Sequence, residues 1–383
     1  MASTSNITIS DASFATNLAF LRGFFPPEVR ISSVVKGNAY GHGINEFIPM
    51  AESQGLDHFS VHSADEAREV FEAKRNNSTE IMIMGFLDSE DMPWVIENDI
   101  SFFVFDFERL SAAIQKARSL SKKARIHIEL ETGMNRTGFG PTHLERLVQS
   151  VLDNTDHLIV EGICTHFAGA ESIANYLRIQ SQKDQFMEMT SALESMGVVA
   201  QTKHTCCSAA SIRLPDMHFD MVRIGILQYG FWPSREIFID FLKGKENKED
   251  PLRRVIEWKT SVMNLKEVAM GEFIGYGTTY QAQRDMQIAI VPVGYSHGFS
   301  RSLSNQGRVI VGGIRVPVIG IVNMNNMAID VTDVPEVKIG DPVILIGKHG
   351  DAEISVSSFS ELSDQLNYEL LTRLPSKIPR KVT

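Results

Sequence analysis

The chain has 383 residues, 43% of them hydrophobic, enough for one large core and a second, smaller one. It carries 37 basic against 47 acidic side chains, a formal net charge of -10 without long runs of either sign, which argues against nucleic acid or an anionic membrane as partner. No apolar run reaches the length of a membrane span, and the opening stretch MASTSNITISDA lacks a basic region followed by an apolar one, so a cytoplasmic protein is expected. Cys164, Cys206 and Cys207 lie in apolar, strand-like stretches with no Cys-x-x-Cys pair, and read as small reduced core residues.

A strand-like segment, Ile7 to Ile9, precedes helical periodicity from Asp11 to Arg22. Eight strand-like segments follow, at 31–36, 58–61, 80–85, 101–105, 124–130, 158–165, 202–207 and 220–227, with helix-period stretches between most of them. Ser63-Ala64-Asp65-Glu66 is a capping box opening one such helix, with Ala67, Val70 and Phe71 on one face. A second helix runs over 107–122 with Leu110, Ala113, Ile114 and Ala117 inward, and a longer one over 176–196. Eight strands alternating with helices predict a parallel (β/α)8 TIM barrel over 10–242. A polar, charge-dense run at 242–251 reads as a linker. Beyond it, short β-rich segments at 255–267, 287–293, 308–312, 315–321, 327–331 and 342–347 predict a mainly β domain over 252–383, which the strand within 1–9 is placed to join. An amphipathic helix over 357–373 then leads to a basic tail.

A barrel concentrates its chemistry at the C-terminal ends of its strands. Lys36 ends the first strand, just before a loop, Gly37-Asn38-Ala39-Tyr40-Gly41-His42-Gly43, whose glycines let backbone approach a ligand closely. A lysine there either snorkels to solvent or is desolvated, and a desolvated lysine forms Schiff bases with aldehydes. Glu131-Thr132-Gly133-Met134-Asn135-Arg136 ends the fifth strand and Thr165-His166-Phe167 the sixth. Ser208-Ala209-Ala210-Ser211 ends the seventh, and Arg223-Ile224-Gly225-Ile226 lies at the exit of the eighth, the two places where such barrels build phosphate sites. His127 and Glu129 share one face of a strand, but two ligands do not make a metal site, and no metal is expected.

VVKGNAYGHG resembles the pyridoxal-lysine motif of alanine racemases, usually VVKANAYGHG. The resemblance extends along the chain: ETGMNRTGF is similar to the family's DTGMGRIG, THFAGA to its THFA, HTCCSAAS to HxANSAA and MVRIGILQYG to MVRxGIxxYG. Further on, GYGTTY resembles SYGxTY, VGYSHG resembles IGYADG, Val322-Asn323-Met324-Asn325 its cMD segment, and Leu366-Asn367-Tyr368-Glu369 its TxxYE. The resemblance implies pyridoxal 5'-phosphate as cofactor, bound to Lys36 as an aldimine, with Tyr40, Ser208, Tyr368 and the Gly225 and Ile226 amides on its phosphate. Arg223 would contact the pyridine nitrogen; a guanidinium keeps its proton, so the ring would be a weaker electron sink that favours reprotonation over other fates. The resemblance also implies a homodimer with composite sites, in which Tyr276 of a partner subunit is the second base, tuned through His166 and Arg223. Arg136, the Met324 backbone and Tyr295 would meet the amino-acid substrate, and D-alanine for peptidoglycan would be the product.

The pattern departs in places. Glu129 stands where many members carry a carbamylated lysine that orients the arginine seven residues on; it would either supply that charge directly or be an ordinary polar barrel residue. Asn325 replaces an aspartate, Cys207 an asparagine, His297 an aspartate and Ile321 a frequent arginine. These changes leave room for a broader or serine-accepting racemase of the same fold. The related decarboxylases carry an EPGR motif and a Cys-Asp pair that this chain lacks, and the single-domain pyridoxal-phosphate-binding proteins have neither a second domain nor a counterpart of Tyr276.

Overall fold

The structure, a computed structural model, describes residues 3–356 and 367–383. They form two compact units: one comprises Phe14–Gly37 and Ile48–Arg253, the other Met1–Ser13, Asn38–Phe47 and Arg254–Thr383. The chain thus enters the second unit three times.

The first unit holds eight parallel strands: β2 (Arg30–Val34), β3 (His58–Ser63), β4 (Glu80–Phe86), β5 (Ser101–Val104), β6 (Ala124–Glu129), β7 (Leu158–Cys164), β8 (Thr202–His204) and β9 (Met221–Ile224). They pair in the order β8-β7-β6-β5-β4-β3-β2-β9. Beside β8, a Cys207–Arg223 bridge and the Arg223 N–H to the Cys206 carbonyl, at 2.9 Å, nearly close the sheet into a barrel. Strands such as β5 are buried at every residue, as parallel strands covered on both faces must be. Met82, Phe103, Cys164 and Met221 pack in the interior, with Met84 and Phe105 against them. At the N-terminal strand ends, Arg125 pairs with Glu161 and Glu80, and Glu80 with Arg30, which also meets Asp57.

The helices follow their caps. Ser63 Oγ accepts the Glu66 amide and starts helix Ala64–Ala73; Asp106 accepts the Arg109 amide and starts Phe107–Leu120, which Ser121 ends in the left-handed region. Glu66 does not close the box on Ser63; its carboxylate accepts the amides of His62 and Gly37 instead. Helix Tyr176–Ser195 matches its periodicity. Ile44–Ser53, Met92–Glu97, Leu144–Leu152 and Arg235–Leu242 are helices that the pattern did not single out.

The second unit is a mainly antiparallel sheet. Its strands are β1 (Ser5–Ile9), β10 (Ile256–Ser261), β11 (Asn264–Val268), β12 (Met286–Val291), β13 (Arg308–Val311), β14 (Ile314–Ile319), β15 (Met327–Asp330), β16 (Pro342–His349), β17 (Ala352–Ile354) and β18 (Arg380–Val382). β10 alternates buried and partly buried residues, with Ile256, Trp258 and Thr260 inward. The β-rich segment over 255–267 holds two strands, β10 and β11, separated at Val262-Met263, and the basic tail is strand β18, parallel to β1. Of the helix expected over 357–373, Asn367–Thr372 is helical and 357–366 lies outside the described residues. No helix among the described residues is long and apolar enough to cross a membrane.

Candidate active site

Strand β2 stops at Val34, two residues before the lysine. Its exit is pinned within the barrel unit: the Val34 carbonyl accepts from Gln228 Nε2 at 3.1 Å and Tyr229 Oη at 3.0 Å, and Ser33 Oγ donates to Gln228 Oε1 at 2.7 Å. Then Gly37, Asn38, Ala39, Tyr40 and Gly41 all take positive φ, from 52° to 78°. A left-handed turn costs non-glycine residues roughly 1–2 kcal/mol each, and such strain persists only where surroundings over-determine it. Here they do. In the barrel unit, the Gly37 amide donates to Glu66 Oε1 at 2.6 Å. In the β unit, Asn38 accepts from Gly43 and Ile44, His42 Nδ1 donates to the Ala39 and Tyr40 carbonyls, and Arg380 Nε donates to the Gly41 carbonyl at 2.9 Å. A Cβ at Gly41 would lie 2.0 Å from the Leu371 carbonyl oxygen, so only glycine fits.

Lys36 keeps access to solvent at this exit. Its pKa is lowered, first by desolvation from the surrounding wall and then by the positive charge of Arg136, with Arg223 acting the same way and Glu66 opposing. His166 shares those neighbours. Burial, with Arg223, Arg136 and Lys36 beside it, pushes its pKa down to about 3, so it is a neutral imidazole at neutral pH. The barrel unit therefore gathers Lys36, Arg136, His166 and Arg223 at one end. Arg223 is 4% exposed. Its Nη1 donates to His204 Nδ1 and the His204 carbonyl, and its Nη2 to the Thr165 and Thr205 carbonyls. No acceptor for its Nε–H occurs among the described residues. Ser208 Oγ accepts the Gly225 amide at 2.9 Å, tying the loops after β8 and β9 together.

Glu129, for which a charge-supplying role and an ordinary polar role both stood open, is buried in the barrel. Its Oε2 accepts from Thr137 Oγ1 at 2.7 Å, and no ion pair joins it to Arg136 among the described residues. The neighbouring Arg136 side chain is exposed, while the Glu129 carboxylate is buried. Burial raises the Glu129 pKa, with the Thr137 bond, Arg136 and Arg223 pulling it back.

In the β unit, the Tyr40 and Tyr368 rings lie 6.0 Å apart. Tyr276, between Gly275 and Gly277 in their positive-φ turn, is 72% exposed. Tyr295 and Met324 sit on two loops sewn together: the Tyr295 amide donates to Asn323, and the Ser296 amide and hydroxyl both donate to the Met324 carbonyl. Ser296 Oγ also lies 2.8 Å from Asn325 Oδ1. A Cβ at Gly294 would meet the Asn323 carbonyl oxygen at 2.1 Å, which is why the loops approach so closely. Sequence reasoning missed Glu66, Thr137, His204, Gln228 and Tyr229; all but Glu66 lie within quoted motifs, while Glu66 read as a cap alone.

A nearly closed parallel barrel joined in one chain to a mainly β unit is also the fold of solved alanine racemases. The Clostridium difficile 630 alanine racemase superposes with a TM-score of 0.90 at 28% identity, covering 100% of this chain and 96% of that one. The Bacillus anthracis alanine racemase with bound L-Ala-P gives 0.89 at 32% identity, again covering 100% and 96%. The alanine racemase N-terminal domain matches residues 9–233, and the alanine racemase C-terminal domain matches residues 255–382. Alanine racemase 1 of Caldanaerobacter subterraneus subsp. tengcongensis is 35% identical over 353 residues, 92% of this chain and 88% of that protein. The alanine racemase of Methanococcus maripaludis is 35% identical over 366 residues, 95% and 94% of the two chains. The chain belongs to the alanine racemase family.

Proposed function

We propose that the protein interconverts L- and D-alanine with pyridoxal 5'-phosphate held by Lys36, as a cytoplasmic homodimer that supplies D-alanine for peptidoglycan. The observation that carries this is the Lys36 amine, accessible yet lowered in pKa by its wall and by Arg136, at the exit of a barrel strand. The donor set fits the group. Arg223 keeps one N–H, on Nε, for a ring nitrogen. Ser208 and the Ile226 amide lie where such barrels take phosphate, with the Gly225 amide donating to Ser208 Oγ and holding it there, and Tyr40 and Tyr368 would add their hydroxyls.

Bound pyridoxal phosphate supplies an electron sink for charge at the substrate Cα. The rest falls to side chains. Arg136 and the Met324 amide receive the substrate carboxylate, and Tyr295 borders the substrate. Lys36, freed as an amine, moves a proton on one face of Cα, and Tyr276 of a partner subunit moves one on the other. Neutral His166 links that tyrosine to Arg223, a constant positive charge.

Single enantiomers of a panel of amino acids, incubated with and without added cofactor, test the activity: D-alanine should appear from L-alanine, and the reverse. Borohydride reduction should fix the cofactor on Lys36, and label on any other lysine would overturn the assignment.

A further inference from the structure

One hydrogen-bond chain inside the barrel runs through side chains without a role so far. Ser101 Oγ on β5 donates to the Ile81 carbonyl at 3.3 Å and lies 3.2 Å from His127 Nε2 on β6. His127 Nδ1 lies 2.9 Å from His204 Nε2 on β8, and His204 Nδ1 faces Arg223 Nη1 on β9. Ser101, His127, His204 and Arg223 are 3%, 1%, 0% and 4% exposed, so water cannot substitute for any link.

The proton positions in this chain follow from its two ends. A guanidinium has no lone pair and can only donate, so His204 Nδ1 accepts and its proton sits on Nε2. That N–H donates to His127 Nδ1, which leaves the His127 proton on Nε2, pointing at Ser101. Ser101 has given its own proton to Ile81 and can only accept there. Both ends demand the same pair of neutral tautomers. An extra proton on either ring would set two donors face to face. Burial acts in the same direction, holding both imidazoles well below the usual histidine range, with Arg223 and His58 adding to it and Arg125 also bearing on His127.

The backbone makes room for this pair. A Cβ at Gly162 on β7 would fall 2.1 Å from His127 Nδ1 and 3.0 Å from His204 Nε2, on the bond between the rings. The β6–β7 register also slips between Ile126 and His127, which sets His127 beside Gly162 rather than Glu161.

We propose that Ser101, His127 and His204, in the space left by Gly162, are positioning residues for Arg223: they hold its guanidinium on neutral acceptors alone, its charge undiminished and its Nε–H left for the cofactor ring. The inference rests on the reading of Arg223 as the residue at the ring nitrogen. No carboxylate touches the guanidinium among the described residues; the four bonds go to one imidazole nitrogen and three carbonyls.

The tautomers are testable without cofactor. Imidazole 15N spectra of cofactor-free protein should show His127 and His204 as neutral Nε2–H forms from pH 8 to pH 5. An Nδ1–H form or an imidazolium in that range overturns the chain. With cofactor bound, His127→Phe and Gly162→Ala should shift the cofactor absorbance band and its pH profile. They should lower kcat by about tenfold, the scale of one bond to a charged group, with KM for alanine within about twofold. His127→Gln, which can accept from His204 and donate to Ser101, should restore the band. Arg223→Lys separates the two readings. If it shifts the band and His127→Phe does not, the positioning role fails while Arg223 keeps its own. If Arg223→Lys leaves the band unchanged, the reading of Arg223 falls and takes this proposal with it.

Discussion

The carboxylate of Glu66 accepts the amide of Gly37 at 2.6 Å, so the first turn of one helix grips the residue after Lys36. Glu66 is also the negative charge that raises the Lys36 pKa most against desolvation and Arg136. Glu66→Gln keeps an acceptor for Gly37 but removes the charge. The Lys36 amine should then lose its proton at lower pH, and the pH midpoint for its reaction with pyridoxal phosphate should move down. An unchanged or higher midpoint would refute this.

Glu129 is held by Thr137 and not by Arg136. Glu129→Gln should therefore keep the Thr137 bond and lose only the charge felt by Arg136 and Arg223. In partly desolvated surroundings such a loss is worth about 1 kcal/mol, or about fivefold in turnover. Activity should not depend on bicarbonate in either form. Unchanged kinetics in the variant would make Glu129 an ordinary polar barrel residue.

His58 sets a pH dependence of stability. Burial, with Arg30 and Arg125 nearby, lowers its pKa from 6.5 to about 3, and its Nδ1 lies 2.9 Å from Ser32 Oγ. The folded state thus binds fewer protons than the unfolded chain between about pH 3 and pH 6.5. Stability contributed above 6.5 is lost as pH falls through that window, by up to about 1.4 kcal/mol per pH unit for one proton. Urea unfolding of His58→Gln between pH 6.5 and pH 5 should show a slope shallower by about one proton. Parallel slopes would count against it.

Tyr276 and Lys36 belong to different units, and the proposed site takes them from different subunits. Mixing inactive Lys36→Ala with inactive Tyr276→Phe should restore part of the activity, since some heterodimers would hold one intact pair. No recovery after confirmed subunit exchange would put both residues in one chain's site.

The two bases should also differ in handedness. In deuterated water, Tyr276→Phe should stop racemising yet still exchange the Cα proton of D-alanine through Lys36. Equal exchange of both enantiomers would mean a single base.

Much of the barrel was legible because each strand is a short apolar run bounded by turn residues, and parallel strands bury both faces. The short helix Ile44–Ser53 was not, since it carries Pro49 inside it. β18 is three residues long, too short for any period, and its partner β1 lies at the far end of the sequence. At the site, Lys36, His166, Ser208 and Arg223 stood out as polar groups at strand ends. The left-handed run after Lys36 did not, because Ala39 and Tyr40 carry no signature of positive φ and Asn38 tolerates it without requiring it. His127 was visible only as a neighbour of Glu129 two positions on. Its actual partner, His204, is 77 residues away, and only closure of the barrel brings the rings together.

Strand β1 pairs with β10 across nearly the whole barrel sequence, and Thr8 Oγ1 reaches Glu257, 249 positions further along the chain. In terms of chain order, the barrel is a long insertion within the β unit. During synthesis, β1 and residues 38–47 emerge long before the strands they need. Closing a loop of that size by random search is slow, and until it closes β1 remains an unpaired apolar edge. If the barrel folds first, it draws the two ends of that loop together and shortens the search. The β sheet is then assembled last, on an anchor the barrel has supplied.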